Sequence, residues 1–404
     1  MTFSLLPERK VFRDTIHSYI HVEHTLIWQL INTPEMQRMK RIHQLGGTYQ
    51  VFPTAEHSRF SHALGAYEIA RRLLSEVPSI HEALNDVDGM TLLCAALLHD
   101  IGHGPFSHAF EMIHPIRHEE YSVAILLGPS RVHEVLEHAH EGLAQAVASV
   151  LKKEHPLPLL NQLVSSQIDA DRMDYLLRDA YFTGTPYGAF DVSRVLRLAL
   201  VHQGRLVFKE SGMAAVENFM MGRYHMYRQV YFHPASMSYE VMIAKWFQRF
   251  SDLVEQHYPF QSSYPQVLPF VGRHQVTIPE YLAMDDMTLL FSIRMSGEEA
   301  DSILQDLSDR ILNRRLFRHQ RVDREEDIQA LQAKVALEHP LAYYFYVDRP
   351  TQTVYKKYGR NDQDAVYLMT PNYKVEELSK MSAVVRALKN DRLAADDETL
   401  VFYP

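Results

Sequence analysis

The stretch that most constrains this chain is Thr91–Leu98 (TLLCAALL), an apolar helical run that ends in two polar residues, His99 and Asp100. A helix that dry belongs in an interior, and Ile101-Gly102-His103-Gly104-Pro105 must break it. An imidazole and a carboxylate are therefore expected at a buried helix end beside a sharp turn. A buried carboxylate needs a cation or a hydrogen-bonded partner. A divalent metal meets that need; for a bare His-Asp dipeptide, a helix C-cap with an incidental ion pair is the commoner answer.

The surroundings shift the balance toward metal. His57-Ser58-Arg59-Phe60-Ser61-His62 opens a helix expected over His62–Leu74, and Arg59 and His62, three apart, share a face once the helical turn covers them. Ile168–Phe182 (IDADRMDYLLRDAYF) reads as a helix. On a wheel of 100° per residue, Met173, Leu176, Leu177 and Ala180 take one side. Asp171, Asp174, Tyr175 and Arg178 take the other, with Arg172 and Asp179 flanking one edge. A solvated face can be this charged; it less often repeats Asp at i and i+3 with Tyr and Arg one turn on. Two histidines, one adjacent Asp and one distant Asp make a mixed N/O ligand set. It suits Mn, Fe, Zn, Ni or Mg without choosing among them.

Composition bounds the rest. The 23 histidines are the unusual count, and nine fall between His99 and His155 without forming a run. Cys94 is the single cysteine, so thiolate clusters and internal disulfides are excluded and a reducing cytoplasm is expected. The longest apolar runs, Leu92–Leu98 and Leu341–Val347, are 7 residues each, far short of a membrane span. Met1–Lys10 lacks the apolar stretch of a signal peptide. With a net charge of −9, bulk attraction to nucleic acid is disfavoured, and a polyanion must be gripped by a local basic patch.

Apolar periodicity is mostly helical, so the expected class is mainly α. A helical core over residues 1–257 (body about Thr25–Phe250) is followed by a smaller α+β region over 258–404. Leu200–Lys209 reads as a β-hairpin around Gln203-Gly204. In the C-terminal region, helices are expected at Asp285–Met295, Gly297–Leu312 and Asp323–Leu337, and strands at Ala342–Val347, Thr353–Tyr358 and Ala365–Met369. Tyr343–Tyr346 reads as core of that region. His114, His133, His138, His140 and His155 read as surface or capping residues.

The order His62 … His99-Asp100 … Asp171 resembles the HD-domain metal-dependent phosphohydrolases. The blocks Gln44–Pro53 (QLGGTYQVFP), His57–Gly65 (HSRFSHALG), His99–His108 (HDIGHGPFSH) and Asp169–Asp179 (DADRMDYLLRD) are similar to their deoxynucleoside triphosphate triphosphohydrolase branch. Phe182–Gly188 (FTGTPYG) resembles its bacterial members. The likeness spans about Val11 to His233, and is weaker near Arg314–Arg318. It implies an HD-domain helical core in which His62, His99, Asp100 and Asp171 hold one divalent ion. Arg59 and Arg172, the latter standing for the family's usual Lys, would grip phosphates. His103 and His108 would line the α-phosphate, with His108 donating a proton to the leaving 5′ oxygen. His118-Glu119 would support them, and Glu111, standing where the family often has Asp, would pair with His118. Gln44 and Asp179 would read the deoxyribose 3′-hydroxyl, Tyr175 would pack on the sugar, and Arg223 and Tyr231, on a helix expected over Gly212–Tyr231, would make further nucleotide contacts.

The resemblance implies a homo-oligomer, dimer or tetramer, activated by a nucleotide. Asn32 stands where the family's Asp reads guanine; an amide offers one acceptor and one donor, so the implied activator has an altered base preference. Gln37, Lys40, Arg194, Lys209, Arg314 and Arg318 match the remaining regulatory positions. Phe12–His17 resembles the family's N-terminal Asp-Pro-Ile-His segment, implied to serve regulation or assembly and not the metal centre. The expected activity is cleavage of dNTPs to deoxynucleoside and tripolyphosphate by water attack at the α-phosphorus. The alternatives are an HD phosphohydrolase for another nucleotide and a non-catalytic nucleotide-binding regulator. The absence of a His-Asp-x-x-Glu-Asp run argues against alarmone hydrolysis, and no Gly-Tyr-Pro motif follows the His-Asp pair.

Overall fold

The framework is set by where three helices start and stop. Ser58, in an extended conformation (φ −92°, ψ 159°), accepts from Ser61 N and starts helix Arg59–Glu76, three residues before the expected position. Asn85 and Asp88 form a capping box on helix Asp86–Leu98, which is buried without interruption from Gly89 to Leu98 and ends with His99 as its C-cap. Asp169 caps helix Ala170–Thr183, which stops at Gly184 with φ +69°. The computed structural model describes residues 3–114, 116–272, 276–349, 365–390 and 399–404; the side chains of His108 and of residues 388–390 lie outside that description.

Helices Arg59–Glu76 and Ala170–Thr183 pack closely because Gly65 has no side chain. A Cβ at Gly65 would sit 1.8 Å from Asp174 Oδ1 and 2.4 Å from the Arg178 guanidinium. Gly102 does the same for helix His118–Leu127, since a Cβ there would be 2.2 Å from the His118 carbonyl oxygen and Ser122 N. Both faces of Ala170–Thr183 are therefore inside. Met173, Leu176 and Ala180 join the main apolar cluster, while Asp174 and Arg178 are 0% and 1% exposed. Asp174 and Arg178 on the charged face thus meet other side chains, while Asp171 and Arg172 at its start stay partly exposed.

Among the described residues nine short strands form three sheets beside the helices. β1 (Leu5–Asp14) and β2 (Ser18–His24) make an N-terminal antiparallel hairpin ahead of the expected helical body. β3 (Ala199–His202) and β4 (Arg205–Lys209) form the expected hairpin, with Gln203 and Gly204 at φ +50° and +74°. β5 is Arg318–Val322, β6 Tyr346–Asp348, β7 Tyr367–Met369, β8 Val375–Glu377 and β9 Thr399–Tyr403. The sheet orders are β3-β4-β7-β8 and β5-β9-β6. Thus the C-terminal strand β7 pairs in parallel with β4. Val366, Leu368, Leu378 and Val385 enter the main apolar cluster, and Phe106, Phe110 and Tyr239–Phe250 enter the second. Residue 257 therefore does not separate the two cores.

The C-terminal helices form at Asp286–Ser296, Ser302–Leu312 and Glu325–Ala336. The second starts later than expected because Asp301 caps it, accepting from Leu304 N. Leu341–Tyr344 is a helical turn that follows the extended Pro340, and the strand expected from Ala342 begins only at Tyr346. Tyr343, Tyr344 and Phe345 are buried core residues. The expected strand Thr353–Tyr358 lies outside the described residues. No described helix is long and apolar enough to cross a membrane.

Gly65→Ala should cost about 1–3 kcal/mol of stability, because the methyl meets a buried ion pair that cannot retreat. Chemical denaturation measures this; a midpoint equal to the native one would contradict the packing described.

Candidate metal centre

Four donors converge where the three framework helices meet. His62 lies in the first turn of Arg59–Glu76, and Asp171 in the first turn of Ala170–Thr183. His99 and Asp100 follow the last turn of Asp86–Leu98. His62 Nε2 is 3.1 Å from His99 Nε2, 3.2 Å from Asp171 Oδ1 and 3.7 Å from Asp100 Oδ2. His99 Nε2 is 3.4 Å from both Asp100 Oδ1 and Asp171 Oδ1. Metal–ligand bonds of about 2.0–2.2 Å place neighbouring donors about 2.8–3.6 Å apart around one ion. His62, His99 and Asp100 offer atoms within 4.8 Å of one another, and Asp171 Oδ1 approaches both imidazoles, so the chemistry of the set fits a divalent cation centred on the two histidines.

The other nitrogen of each imidazole is already committed. His99 Nδ1 donates to the Ala96 carbonyl, 2.9 Å away. His62 Nδ1 donates to Asp174 Oδ2 at 2.8 Å. Each ring is thereby fixed with Nε2 turned to the centre. Asp174 is itself gripped by the Arg178 guanidinium, with two contacts of 2.8 Å, and by His17 Nε2 at 2.7 Å. Arg178 reaches on to Asp14 at 2.8 Å, and Asp14 caps its own turn by accepting from Ile16 N and His17 N. This corrects the expectation that the Asp14–His17 segment stands apart from the metal centre: the β1–β2 turn lies one hydrogen bond behind its ligand's partner.

The electrostatics follow from this packing. Burial would raise the Asp174 carboxyl, but Arg178, His17 and His62 hold it well below the usual range. Burial likewise opposes charge on His62, yet Asp171, Asp174 and Asp100 push it up to about 10. Asp100 and Asp171 are both held low against burial, Asp100 by His99, His103 and Arg59, and Asp171 by His62 and His99. His103 goes the other way: burial, then the Arg59 cation, pushes it well below the ordinary histidine range.

Around the four donors the structure places the remaining expected residues unevenly. Arg59 is buried, ion-paired with Asp100, and donates to Ser107 Oγ (2.8 Å) and the Gln44 carbonyl (3.2 Å). His103 Nε2 is 3.3 Å from Asp100 Oδ1, and its ring stacks on His118 at 3.7 Å. His118 Nδ1 donates to Glu111 at 2.5 Å, whereas Glu119 is 3.6 Å away and pairs with Arg117. Arg172 is ion-paired with Asp169, and Arg223 donates to Gln167 at 2.6 Å. The Nε atoms of both arginines are buried without a hydrogen-bond partner, and so is Gln44 Oε1. Asp179 accepts from His57 (2.8 Å) and Tyr231 (2.8 Å), and the Tyr175 ring lies edge-on to His62 and Tyr231. The π-helical turn Tyr227–Tyr231 ends the helix that carries Arg223.

The expected regulatory residues lie on separate elements. Gln37 accepts from Lys40 at 2.8 Å, and Asn32 donates to the Trp28 carbonyl. Arg194 and Lys209 are exposed on helix Val192–Leu198 and β4. Arg314 donates to the Gln50 carbonyl, and Arg318 is exposed on β5. The residues that sequence reasoning missed are the supports: His17, Asp14, Asp169, Gln167 and His57, together with the role of Asp174. The only signal for Asp174 was its repeat with Asp171 at three-residue spacing.

A model of the HD domain matches residues 59–179, and one of the HD associated region matches residues 190–258. Protein YwfO of Bacillus subtilis, described as uncharacterized, is 41% identical over 394 residues, covering 96% of this chain and 91% of its own length. Deoxynucleoside triphosphate triphosphohydrolase SAMHD1 of Danio rerio is 30% identical over 354 residues, which is 76% of this chain and 55% of that one. The crystal structure of a phosphohydrolase from Bacteroides thetaiotaomicron superposes with a TM-score of 0.85 at 26% identity, covering 98% of this chain and 100% of that one.

Asp174→Asn should weaken metal affinity about 10–100-fold in a chelator competition, because the amide turns a donor toward Arg178 and holds His62 less firmly. Native affinity in this variant would contradict the support described. Burial would raise Asp14, but Arg178 holds it low, so its stabilisation is present above the ordinary carboxylate range and lost as pH falls. The metal-free protein should lose melting temperature below pH about 4 more steeply than Asp14→Asn; parallel curves would count against it.

Proposed function

Because the chain belongs to the HD-domain phosphohydrolases that carry an HD-associated region, we propose that it hydrolyses dNTPs to deoxynucleoside and tripolyphosphate. The observation that carries this reading is the convergence of His62, His99, Asp100 and Asp171 beside three guanidinium groups, Arg59, Arg172 and Arg223. A triphosphate brings about four negative charges, and preorganised cations at a buried site stabilise the further charge that develops on phosphoryl transfer. The named activity of the SAMHD1 relative supports the same substrate class.

One divalent ion held by those four residues would polarise a phosphoryl oxygen and lower the pKa of water. The chain's own groups do the rest. Arg59 is braced by Asp100, Ser107 and the Gln44 carbonyl, so its charge is positioned before substrate arrives. Arg172 and Arg223, each anchored by one partner (Asp169 and Gln167), supply the further positive charge for the phosphates. Water oxygen joins the α-phosphorus as the bond to the 5′ oxygen breaks, and that oxygen takes up a proton. His108 is assigned as donor by resemblance. His103, kept neutral by burial and Arg59, can accept or donate one hydrogen bond at the α-phosphate without adding charge. Glu111 fixes the tautomer of His118 and so the ring on which His103 stacks.

On the sugar side, Tyr175 packs beside His62, and the resemblance assigns the 3′-hydroxyl to Asp179, whose carboxylate is held by His57 and Tyr231. Activation by a nucleotide held at Asn32, Gln37, Lys40, Arg194, Lys209, Arg314 and Arg318, within a homo-oligomer, belongs to the same reading.

The test is chromatography of a metal-loaded reaction with each dNTP. Tripolyphosphate and deoxynucleoside are expected, with Asp171→Ala reducing the rate at least about 100-fold. Orthophosphate as product would point to another nucleotide hydrolase, and binding without turnover to a regulator; either would overturn the proposal.

A further inference from the structure

The loop that follows His99-Asp100 turns through two consecutive non-glycine residues at positive φ, Phe106 (+52°) and Ser107 (+54°). Side chains other than glycine adopt this conformation only where the surroundings impose it. Here the imposing contacts come largely from residues 278–286, beyond both spans matched by family models. Asp286, 1% exposed at the start of helix Asp286–Ser296, accepts from Phe106 N through Oδ1 (2.7 Å). Its Oδ2 accepts from His43 N (2.8 Å) and His43 Nδ1 (2.5 Å). The His43 carbonyl in turn accepts from Ser107 Oγ at 3.1 Å, the same hydroxyl that receives Arg59 Nε. At the near end of the loop, Tyr281 Oη donates to the Gly102 carbonyl at 2.7 Å. Buried Arg38 donates to the His103 carbonyl (2.9 Å) and the Met284 carbonyl (2.8 Å), tying loop and clamp together.

We propose that Asp286 is a positioning residue for the loop Gly102–Ser107, with Tyr281 and Arg38 holding its other end. The C-terminal region thus sets the geometry of His103 and of the Ser107 support beneath Arg59, while His62, His99 and Asp171 are held by other elements and Asp100 is reached only indirectly, through Arg59. Both oxygens of Asp286 are occupied by donors, and an amide can serve only one side of it. The catalytic consequence rests on reading this site as the hydrolytic centre; the structural one does not.

The experiment compares full-length native protein with Asp286→Asn, Tyr281→Phe and, as a neighbouring control, Arg41→Ala, whose side chain pairs with Asp285. Asp286→Asn should retain its metal and a KM within about two-fold of native while kcat falls about 10–100-fold, the signature of misplaced groups. Hydrogen exchange should accelerate over residues 101–110 and stay native elsewhere, whereas Arg41→Ala should match native in all three readouts. Native exchange over 101–110 in Asp286→Asn would overturn the proposal, as would joint loss of kcat, KM and metal. If Asp286→Asn does not fold, Tyr281→Phe decides by the same exchange readout. If native protein releases no tripolyphosphate, the functional reading fails and the exchange result alone decides this one.

Discussion

Two imidazoles in contact, with a carboxylate drawn up to them from each of two helix ends, are the constraint on which the rest of the structure depends. Such a group cannot be left to side-chain preference. Burial opposes every charge in it, and three of the four members carry an outside partner that fixes their orientation: Arg59 on Asp100, Ala96 on His99, Asp174 on His62. Asp174 needs its own counter-charge, supplied by Arg178 and His17, and Arg178 needs Asp14. The pattern alternates in sign outward from the centre and ends at the partly buried turn of the N-terminal hairpin. Removing one partner would leave a buried charge uncompensated, a loss of about 3–5 kcal/mol for a buried pair.

The fold meets this constraint by delivering ligands from helix ends. Ser58, Asp169 and the C-terminal turn at His99 determine where His62, Asp171 and Asp100 emerge, and Gly65 and Gly102 let the carrying helices approach. The loop between His99 and His108 then has little regular structure of its own. It takes its shape from Tyr281, Arg38 and Asp286, so residues far along the chain complete the site.

The His99-Asp100 pair stood out in the sequence because a dry helix that ends in two polar side chains calls for a partner, whereas the full set with His62 and Asp171 came from the family resemblance. Helical class and the Leu200–Lys209 hairpin were legible for similar reasons: periodicity, and a turn pair able to adopt positive φ. What stayed hidden depends on long-range packing. A helical wheel gives the charged face of Ala170–Thr183, but not that it meets His62 and His17. Nothing near Asp286 shows that its carboxylate closes a loop 180 residues earlier. Ala342–Val347 misled because its aromatic residues favour strands, whereas Leu341–Tyr344 close a helical turn and only Tyr346–Asp348 pair as a strand.

The most direct measurement of the central claim is X-ray absorption at the edge of whatever metal accompanies protein purified without chelator or affinity tag. The account predicts a mixed nitrogen and oxygen shell containing two imidazoles, one imidazole fewer in His62→Ala, and metal near one ion per chain. A metal shell unchanged by that substitution would place the ion elsewhere and contradict the account.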